Sequence, residues 1–194
     1  MELKNLIVGL GNPDGYEGTR HNIGKDFLKY FAESQGLSFT KDKLSGGEFA
    51  FLEVAEFVSV IFLPEEYMNN SGLSLAKAIS FFDFKHVSDE DILLVHDELD
   101  LPFSEIKISC GKSDAGHKGV RSVIETLGSK EFCRLRIGID EDTRIPKDKF
   151  VLQKWSMDEM KTLPAVYEQA QQALMLYLRD GAQEAMSEVN RDKH

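Results

Sequence analysis

The sequence predicts a single α/β domain with a mixed, twisted sheet and helices on both faces. Short apolar runs typical of strands alternate along the chain with segments whose apolar residues recur at helical spacing. The 194 residues are 42% hydrophobic, which is enough for one packed core without disulfides or metal. Polar clusters follow several strand-like runs, at the positions where open α/β sheets bind their ligands.

The first half of the chain predicts a strand, a helix, a hairpin and a second helix. The glycine-rich turn after the first apolar run separates it from a segment with helical periodicity. Two further strand-like runs are joined by a tight turn near Glu56, a pattern typical of a hairpin. The predicted elements are a strand at residues 3–10, a helix within 22–35, hairpin strands at 48–54 and 57–63, and a helix capped by Asn70 or Ser71.

The second half predicts more strands and helices in alternation, followed by a long C-terminal helical region. Ser156 and Glu159 have the spacing of a capping box, Pro164 is expected to break or restart the helix, and Gly181 suits its end. The other predicted elements are a strand at 91–96, an acidic loop DELDLP that ends at Pro102, a strand at 105–110, a helix at 116–127 and a strand at 133–139. The domain is expected to span residues 1–189, with a frayed tail at 190–194.

The charge distribution argues against a protein that coats nucleic acid. The formal net charge is −10, and phosphate binding depends on local Lys and Arg density. Residues 105–136 nevertheless carry seven Lys and Arg against four carboxylates, a net charge of +3. Such a segment indicates either the solvated faces of helices and strands or a local contact with RNA.

The two cysteines and the N-terminus predict a cytoplasmic protein. Cys110 and Cys133 have no CxxC spacing, so buried, reduced thiols are expected. The apolar run of residues 6–10 is far too short for a signal segment or a membrane span.

The stretch GLGNPDGYEGTRHN at residues 9–22 favours acid–base chemistry over nucleotide binding. A GxGxxG fingerprint needs a third glycine where this chain has Asp14, and no Walker lysine, HExxH or GxSxG motif occurs. His21 follows a predicted strand, where an imidazole could take a proton from water if a carboxylate such as Asp97 fixed its tautomer. A purely structural hydrogen bond between them is the alternative.

Two carboxamides and the acidic loop leave further alternatives open. Asn12 and Asn69 could hold a substrate or a developing oxyanion, or they could simply shape a turn and a helix start. Metal binding by the acidic loop lacks a second set of ligands, so no metal and no cofactor are expected.

Four ordered blocks of the sequence resemble the bacterial peptidyl-tRNA hydrolase family. They are VGLGNPDGYEGTRHNIG, YMNNSG, LLVHDELDLP, and GHKGVRS followed by FCRLRIGI, and the similarity covers roughly residues 3–185. The resemblance implies a single-domain hydrolase that cuts the ester between a peptide and the 3′ ribose of tRNA. A monomer is expected, with peptidyl-tRNA as its partner and with no cofactor and no membrane. It implies His21 as the catalytic base, Asp97 as the carboxylate that orients it, and Asn12 as the group that reads the blocked amino end.

The resemblance also implies contacts with the substrate and with tRNA phosphates. The matching positions are Tyr16, Tyr67, Met68, Asn69, His117, Lys118, Lys107 and Arg136. This chain departs from the family at several places. Lys118 replaces the asparagine of the usual GHNG, the turn NPDGY is one residue shorter than usual, and Asn70 stands where Leu is common. Lys118 and the altered glycine-rich run GKSDA at residues 111–115 motivate one alternative, a non-catalytic RNA-binding relative with the same fold. The net charge of −10 motivates another, a hydrolase of small esters or amides that binds no RNA.

Overall fold

A computed structural model describes residues 2–84, 88–141 and 144–191. Its seven-stranded sheet has the order β2-β3-β4-β1-β5-β7-β6. The strands are β1 (Glu2–Gly9), β2 (Thr40–Asp42), β3 (Gly47–Val54), β4 (Phe57–Pro64), β5 (Ile92–Pro102), β6 (Ile106–Cys110) and β7 (Cys133–Asp140). The helices are α1 (Ile23–Ser34), α2 (Ser71–Phe81), α3 (Lys118–Leu127), α4 (Lys147–Phe150), α5 (Met157–Asp180) and α6 (Ala182–Val189).

The sheet is mixed and has a helical layer on each face, which confirms the predicted fold class. Strands β4, β1, β5 and β7 are parallel neighbours. Strands β3 and β6 run antiparallel to them on either side, and β2 pairs antiparallel with β3. Helices α1, α5 and α6 pack on one face, and α2 and α3 pack on the other. The carboxyl ends of the four parallel strands therefore lie along the same side of the sheet, at the ends of the strands, where such sheets bind ligands.

A glycine brings the start of α1 against β5 at this edge. A Cβ atom on Gly24 would collide with the carbonyl oxygen of Val95, so a larger residue would push the helix away from the strand. The amide of Leu10 donates to the same carbonyl at 2.9 Å. The turn before α1 is thereby held beside the end of β5, and this places His21 next to Asp97.

Strand β5 is longer than the sequence predicts, because the DELDLP segment is not an acidic loop. Asp97 and Glu98 pair with Ile137 and Gly138 of β7, and the ladder resumes after a register shift at Pro102. Pairing with a neighbouring strand outweighs the low strand propensity of acidic residues here. The prediction of a loop was wrong, and Asp97 is carried by a rigid strand.

Helix α5 runs through Pro164, so the predicted break is also wrong. The proline removes the amide that would bond to the carbonyl of Met160. Both Pro164 and Met160 are exposed, which leaves that carbonyl open to water. The predicted capping box at Ser156 and Glu159 and the helix end at Gly181 are confirmed.

The cysteines form a disulfide, contrary to the expectation of reduced thiols. Cys110 and Cys133 are directly opposite in the antiparallel pairing of β6 and β7, with their Cα atoms 4.1 Å apart. Their separation of 23 residues in the sequence conceals this register. The thiol pattern therefore gives no support to a cytoplasmic location.

The C-terminal end packs against the edge strand β6. The side chain of Asn190 accepts a hydrogen bond from the Ile108 amide at 2.9 Å and donates one to the Ile108 carbonyl at 2.7 Å. Residues 192–194 of the expected frayed tail lie outside the described residues. Within the described ranges, no helix is long and apolar enough to cross a lipid bilayer.

Candidate active site

A cavity of about 430 Å³ lies at the carboxyl ends of β1, β4 and β5. Its walls come from the loops that follow these strands, from the start of α3 and from α4. Most of the predicted site residues line it. They are Asn12, Tyr16, His21, Tyr67, Met68, Asn69, Asp97, His117 and Lys118.

His21 and Asp97 form the predicted hydrogen-bonded pair at the base of the cavity. His21 Nδ1 is 2.8 Å from Asp97 Oδ1 and 3.0 Å from Oδ2. The amide of His21 donates to the carbonyl of Val151 at 2.8 Å, which fixes its backbone. Since an ionised carboxylate can only accept, Nδ1 carries the proton, and Nε2 of the neutral ring remains an acceptor.

His117 also bonds to Asp97, which the sequence did not indicate. Its Nε2 is 2.8 Å from Asp97 Oδ1. Its Nδ1 accepts hydrogen bonds from the amides of Gly119 and Val120, each at 3.2 Å, so the ring is the N-cap of α3. Oδ1 of Asp97 thus accepts hydrogen bonds from two imidazoles, whose ring centroids are 4.9 Å apart.

This arrangement keeps Asp97 ionised. Burial alone would raise the pKa of its carboxyl, but the electrostatic influence of His21 and His117 and their hydrogen bonds hold that pKa well below its usual range. The side chain is 1% exposed, so these imidazoles replace water as its hydrogen-bond donors.

A third histidine, His96, lies beside this group, and the sequence patterns assigned it no role. Its Nδ1 donates to the carbonyl of Asp97 at 2.7 Å, and its ring packs edge-on against His117 with the centroids 4.7 Å apart. The ring is buried, and no residue in the described ranges forms a hydrogen bond with its Nε2. Burial, and then the neighbouring His117, lower the pKa of His96 well below the ordinary value of 6.5. The buried-strand pattern of ILLVH was the one available signal.

His96 is expected to make the protein less stable in mild acid. Below about pH 6.5 the unfolded chain binds a proton at this histidine and the folded protein does not, so stability falls as pH falls. The slope is about 1.4 kcal/mol per pH unit. His96→Asn retains a donor for the Asp97 carbonyl and should flatten the decline between pH 7 and pH 5. Urea unfolding at several pH values measures it, and identical slopes in both proteins would refute it.

Asn12 presents a hydrogen-bond donor to the cavity. Its Oδ1 accepts from the Met68 amide at 3.0 Å, and its backbone is clamped by the side chain of Asn22 at 2.8 and 3.2 Å. No described residue accepts from its Nδ2. The carboxamide is therefore oriented by the protein, with its NH₂ group left for a ligand.

The mouth of the cavity combines aromatic, amide and cationic side chains. Tyr16 and Tyr67 meet edge to face with their centroids 6.3 Å apart, and Tyr67 is 54% exposed. Asn69 is exposed beside them, while Met68 is buried beneath. Lys118 is the first residue of α3, is exposed, and forms no ion pair with a described residue.

Lys107 and Arg136 do not line this cavity. They lie opposite each other in the pairing of β6 with β7. Arg136 donates to Glu98 at 2.9 Å, and Lys107 lies 3.1 Å from Glu105. Much of the basic segment is thus paired within the protein.

Arg134 belongs to the same basic segment but is buried. It donates to the carbonyls of Lys112 and Ser113, and so holds the loop that leads to His117. Its guanidinium is not part of a surface on which RNA phosphates could land.

The ligand atoms of His21, Asp97 and His117 lie within 4.8 Å of one another, as in a metal site. The hydrogen bonds that these three side chains form do not favour metal binding. The nitrogens nearest Asp97 are the protonated ones, and a metal ligand needs a free lone pair. Binding would require His117 to protonate Nδ1 and to lose both hydrogen bonds that cap α3.

Comparison with known proteins shows that this chain is similar to peptidyl-tRNA hydrolases over almost its whole length. A family model described as peptidyl-tRNA hydrolase matches residues 6–194. The peptidyl-tRNA hydrolase of Syntrophotalea carbinolica is 38% identical over 191 residues, which cover 95% of this chain and 96% of the relative. That of Mycobacterium avium is 38% identical over 187 residues, with the same coverage.

Solved structures give the same likeness. The crystal structure of peptidyl-tRNA hydrolase from Acinetobacter baumannii is similar with a TM-score of 0.85 and 31% sequence identity. The match covers 97% of this chain and 95% of the other. The shared architecture extends over almost the whole of both chains.

Proposed function

Because the chain belongs to the peptidyl-tRNA hydrolase family, we propose that it hydrolyses the ester joining a peptide to the 3′ ribose of tRNA. The observation that carries this proposal is the His21–Asp97 pair at 2.8 Å, which leaves Nε2 of His21 as a proton acceptor at the base of a cavity. An ester is labile enough for one oriented base and polar positioning groups to suffice.

In the proposed reaction, His21 acts as general base and then as general acid. Nε2 takes a proton from a water molecule as its oxygen attacks the ester carbonyl. The tetrahedral intermediate collapses with cleavage of the bond to the ribose 3′ oxygen, which receives the proton from Nε2. Asp97 stabilises the imidazolium between these steps. The products are a peptide with a free carboxylate and a tRNA with a free 3′ hydroxyl.

Asn12 is proposed to donate from Nδ2 to a carbonyl oxygen of the acyl group. The Met68 amide holds Oδ1, so the free NH₂ group is pre-oriented toward the cavity. This geometry favours an acceptor on the substrate, such as the peptide carbonyl or the developing oxyanion. It supports the implied role of Asn12 in recognising a blocked amino end through the carbonyl that blocks it.

Asn12→Asp is expected to lower kcat/KM by roughly 10²- to 10³-fold. Aspartate keeps an acceptor for the Met68 amide but cannot donate to the substrate. Circular dichroism and steady-state hydrolysis of N-acetyl-aminoacyl-tRNA measure the outcome. Asn12→Ala, which loses both bonds, is the comparison. Near-normal kcat/KM in Asn12→Asp would exclude a donor role.

Contact with tRNA is proposed through Lys118 at the cavity and through Lys107 and Arg136, which lie outside it on β6 and β7. The last two are already paired with carboxylates, so Lys118 is the cation best placed to meet a phosphate near the 3′ end. A monomeric state and a cytoplasmic location remain predictions that follow from this function.

One assay separates the proposed function from its alternatives. The protein should release acyl groups from N-acetyl-aminoacyl-tRNA, leave the unblocked aminoacyl-tRNA intact, and keep this activity in the presence of a chelator. Binding of tRNA without hydrolysis would instead indicate a non-catalytic relative. Turnover of a short acyl ester without binding of tRNA at low salt would indicate a small-ester hydrolase.

A further inference from the structure

His117 has no ring nitrogen left for a substrate. Its Nδ1 accepts from the amides of Gly119 and Val120, and its Nε2 faces Asp97 at 2.8 Å. A nitrogen that accepts from an amide carries no proton, so the proton of the neutral ring is on Nε2 and is donated to Asp97. This occupancy does not fit the role in substrate contact that the resemblance implies.

The bond from His117 falls on the carboxylate oxygen that also serves His21. Both donors approach Oδ1 at 2.8 Å, while among the described residues Oδ2 accepts only the longer contact of 3.0 Å from His21. A carboxylate held by a single donor can turn about its Cβ–Cγ bond. The second donor removes that freedom. With the ring in place, water has almost no access to the carboxylate, since the Asp97 side chain is 1% exposed.

The ring of His117 is itself held on its other side. The buried ring of His96 packs edge-on against it at 4.7 Å, and His96 is tied to the Asp97 carbonyl. Only 9% of the His117 side chain is exposed although it borders the cavity. The orientation of the ring is therefore set by the helix start, by His96 and by Asp97.

We propose that His117 is a positioning residue that acts through Asp97: its N–H fixes the carboxylate that aims His21. The kinetic part of this inference rests on the proposed function, and the spectroscopic part does not. Contact between His117 and the substrate would require a ring nitrogen without a hydrogen-bond partner and an imidazole that is more exposed to the cavity.

Two replacements separate the two bonds of His117. His117→Gln can place an N–H near the position of Nε2 but loses the cap of α3. His117→Asn can place an acceptor near the position of Nδ1 and keep the cap, but cannot reach Asp97. We expect His117→Asn and His117→Ala to lower kcat by roughly 10- to 100-fold with KM within about twofold of the wild type. His117→Gln should recover most of kcat.

Thermal melts of these variants should run in the opposite order, with His117→Asn more stable than His117→Gln. A role confined to stability would make kcat follow the melting temperature, and this would overturn the proposal. A rise in KM with unchanged kcat would also overturn it, since that result indicates contact with the substrate.

The Asp97→Asn background tests whether the effect passes through the carboxylate. There, His117→Ala should lower kcat by less than about threefold, against the larger loss expected with Asp97 present. Equal losses in both backgrounds would overturn the proposal.

Nitrogen-15 NMR of the wild-type protein gives a test that needs no turnover. We expect the Nε2–H tautomer for His117, and the Nδ1–H tautomer would overturn the proposal. If the wild type fails to hydrolyse N-acetyl-aminoacyl-tRNA, the proposed function fails, while this measurement still tests whether His117 donates a hydrogen bond to Asp97.

Discussion

Replacing His21 with alanine is expected to slow peptide release from N-acetyl-aminoacyl-tRNA by roughly 10²- to 10⁴-fold. The Nδ1 of His21 is engaged by Asp97, both nitrogens of His117 are engaged, and His96 is buried away from the cavity. Among the described histidines at the site, His21 is thus the one with a ring nitrogen available to water. Single-turnover kinetics with enzyme in excess measures the chemical step directly.

His21→Asn is the matched control for this loss. Its amide can still donate to Asp97, so the carboxylate keeps a partner, but no basic nitrogen remains. We expect His21→Asn to be about as inactive as His21→Ala and to melt closer to the wild type. Turnover near the wild-type rate in either variant would remove His21 from the mechanism.

Replacing Arg20 with methionine is expected to lower the free energy of unfolding by roughly 3–5 kcal/mol. Arg20 Nη2 lies 2.6 Å from Glu159 Oε1, and each side chain is only 5% exposed. The guanidinium also donates to the Lys154 carbonyl at 2.8 Å and stacks on the rings of Phe150 and Trp155. Without it, the buried Glu159 carboxylate has no cation from the described part of the chain to compensate its charge.

The double variant with Arg20→Met and Glu159→Gln tests the reason for that loss. Glutamine removes the stranded charge and keeps an acceptor for the Ser156 amide. We expect it to recover a substantial part of the stability. Urea unfolding monitored by circular dichroism measures both variants. Wild-type stability in Arg20→Met, or no recovery in the double variant, would contradict this explanation.

The Arg20–Glu159 pair also connects the core to the site. The amide of Arg20 donates to the carbonyl of Gln153, and the amide of His21 donates to the carbonyl of Val151. These backbone hydrogen bonds hold the turn before α1 against the segment after α4. Glu159 anchors the start of α5 beneath that segment. Loss of the pair is therefore expected to loosen the backbone that carries His21.

Local sequence patterns predicted most elements of the fold, because strand alternation, helical spacing and capping residues act over short distances. The parts that were wrong depend on distant partners. The acidic end of β5 is a strand because β7 pairs with it, and Cys110 meets Cys133 because β6 and β7 are in register. Neither partner can be identified from the segment alone.

The same limit applies to the site. His21 and Asp97 were predicted as partners because each follows or ends a strand at the edge where ligands bind. Asp97 also accepts a hydrogen bond from His117, because the start of α3 reaches the same end of the sheet. No local pattern indicates this. His96 and Arg134 have ordinary polar side chains in the sequence, and only burial distinguishes them.

The tautomer of His21 tests the central claim most directly. Long-range proton–nitrogen NMR of the free protein near neutral pH distinguishes a protonated Nδ1 from a protonated Nε2. The hydrogen bond to Asp97 predicts a protonated Nδ1 and a bare Nε2 in the cavity. A protonated Nε2 in the neutral ring would contradict the mechanism, since that nitrogen could not then take a proton from water.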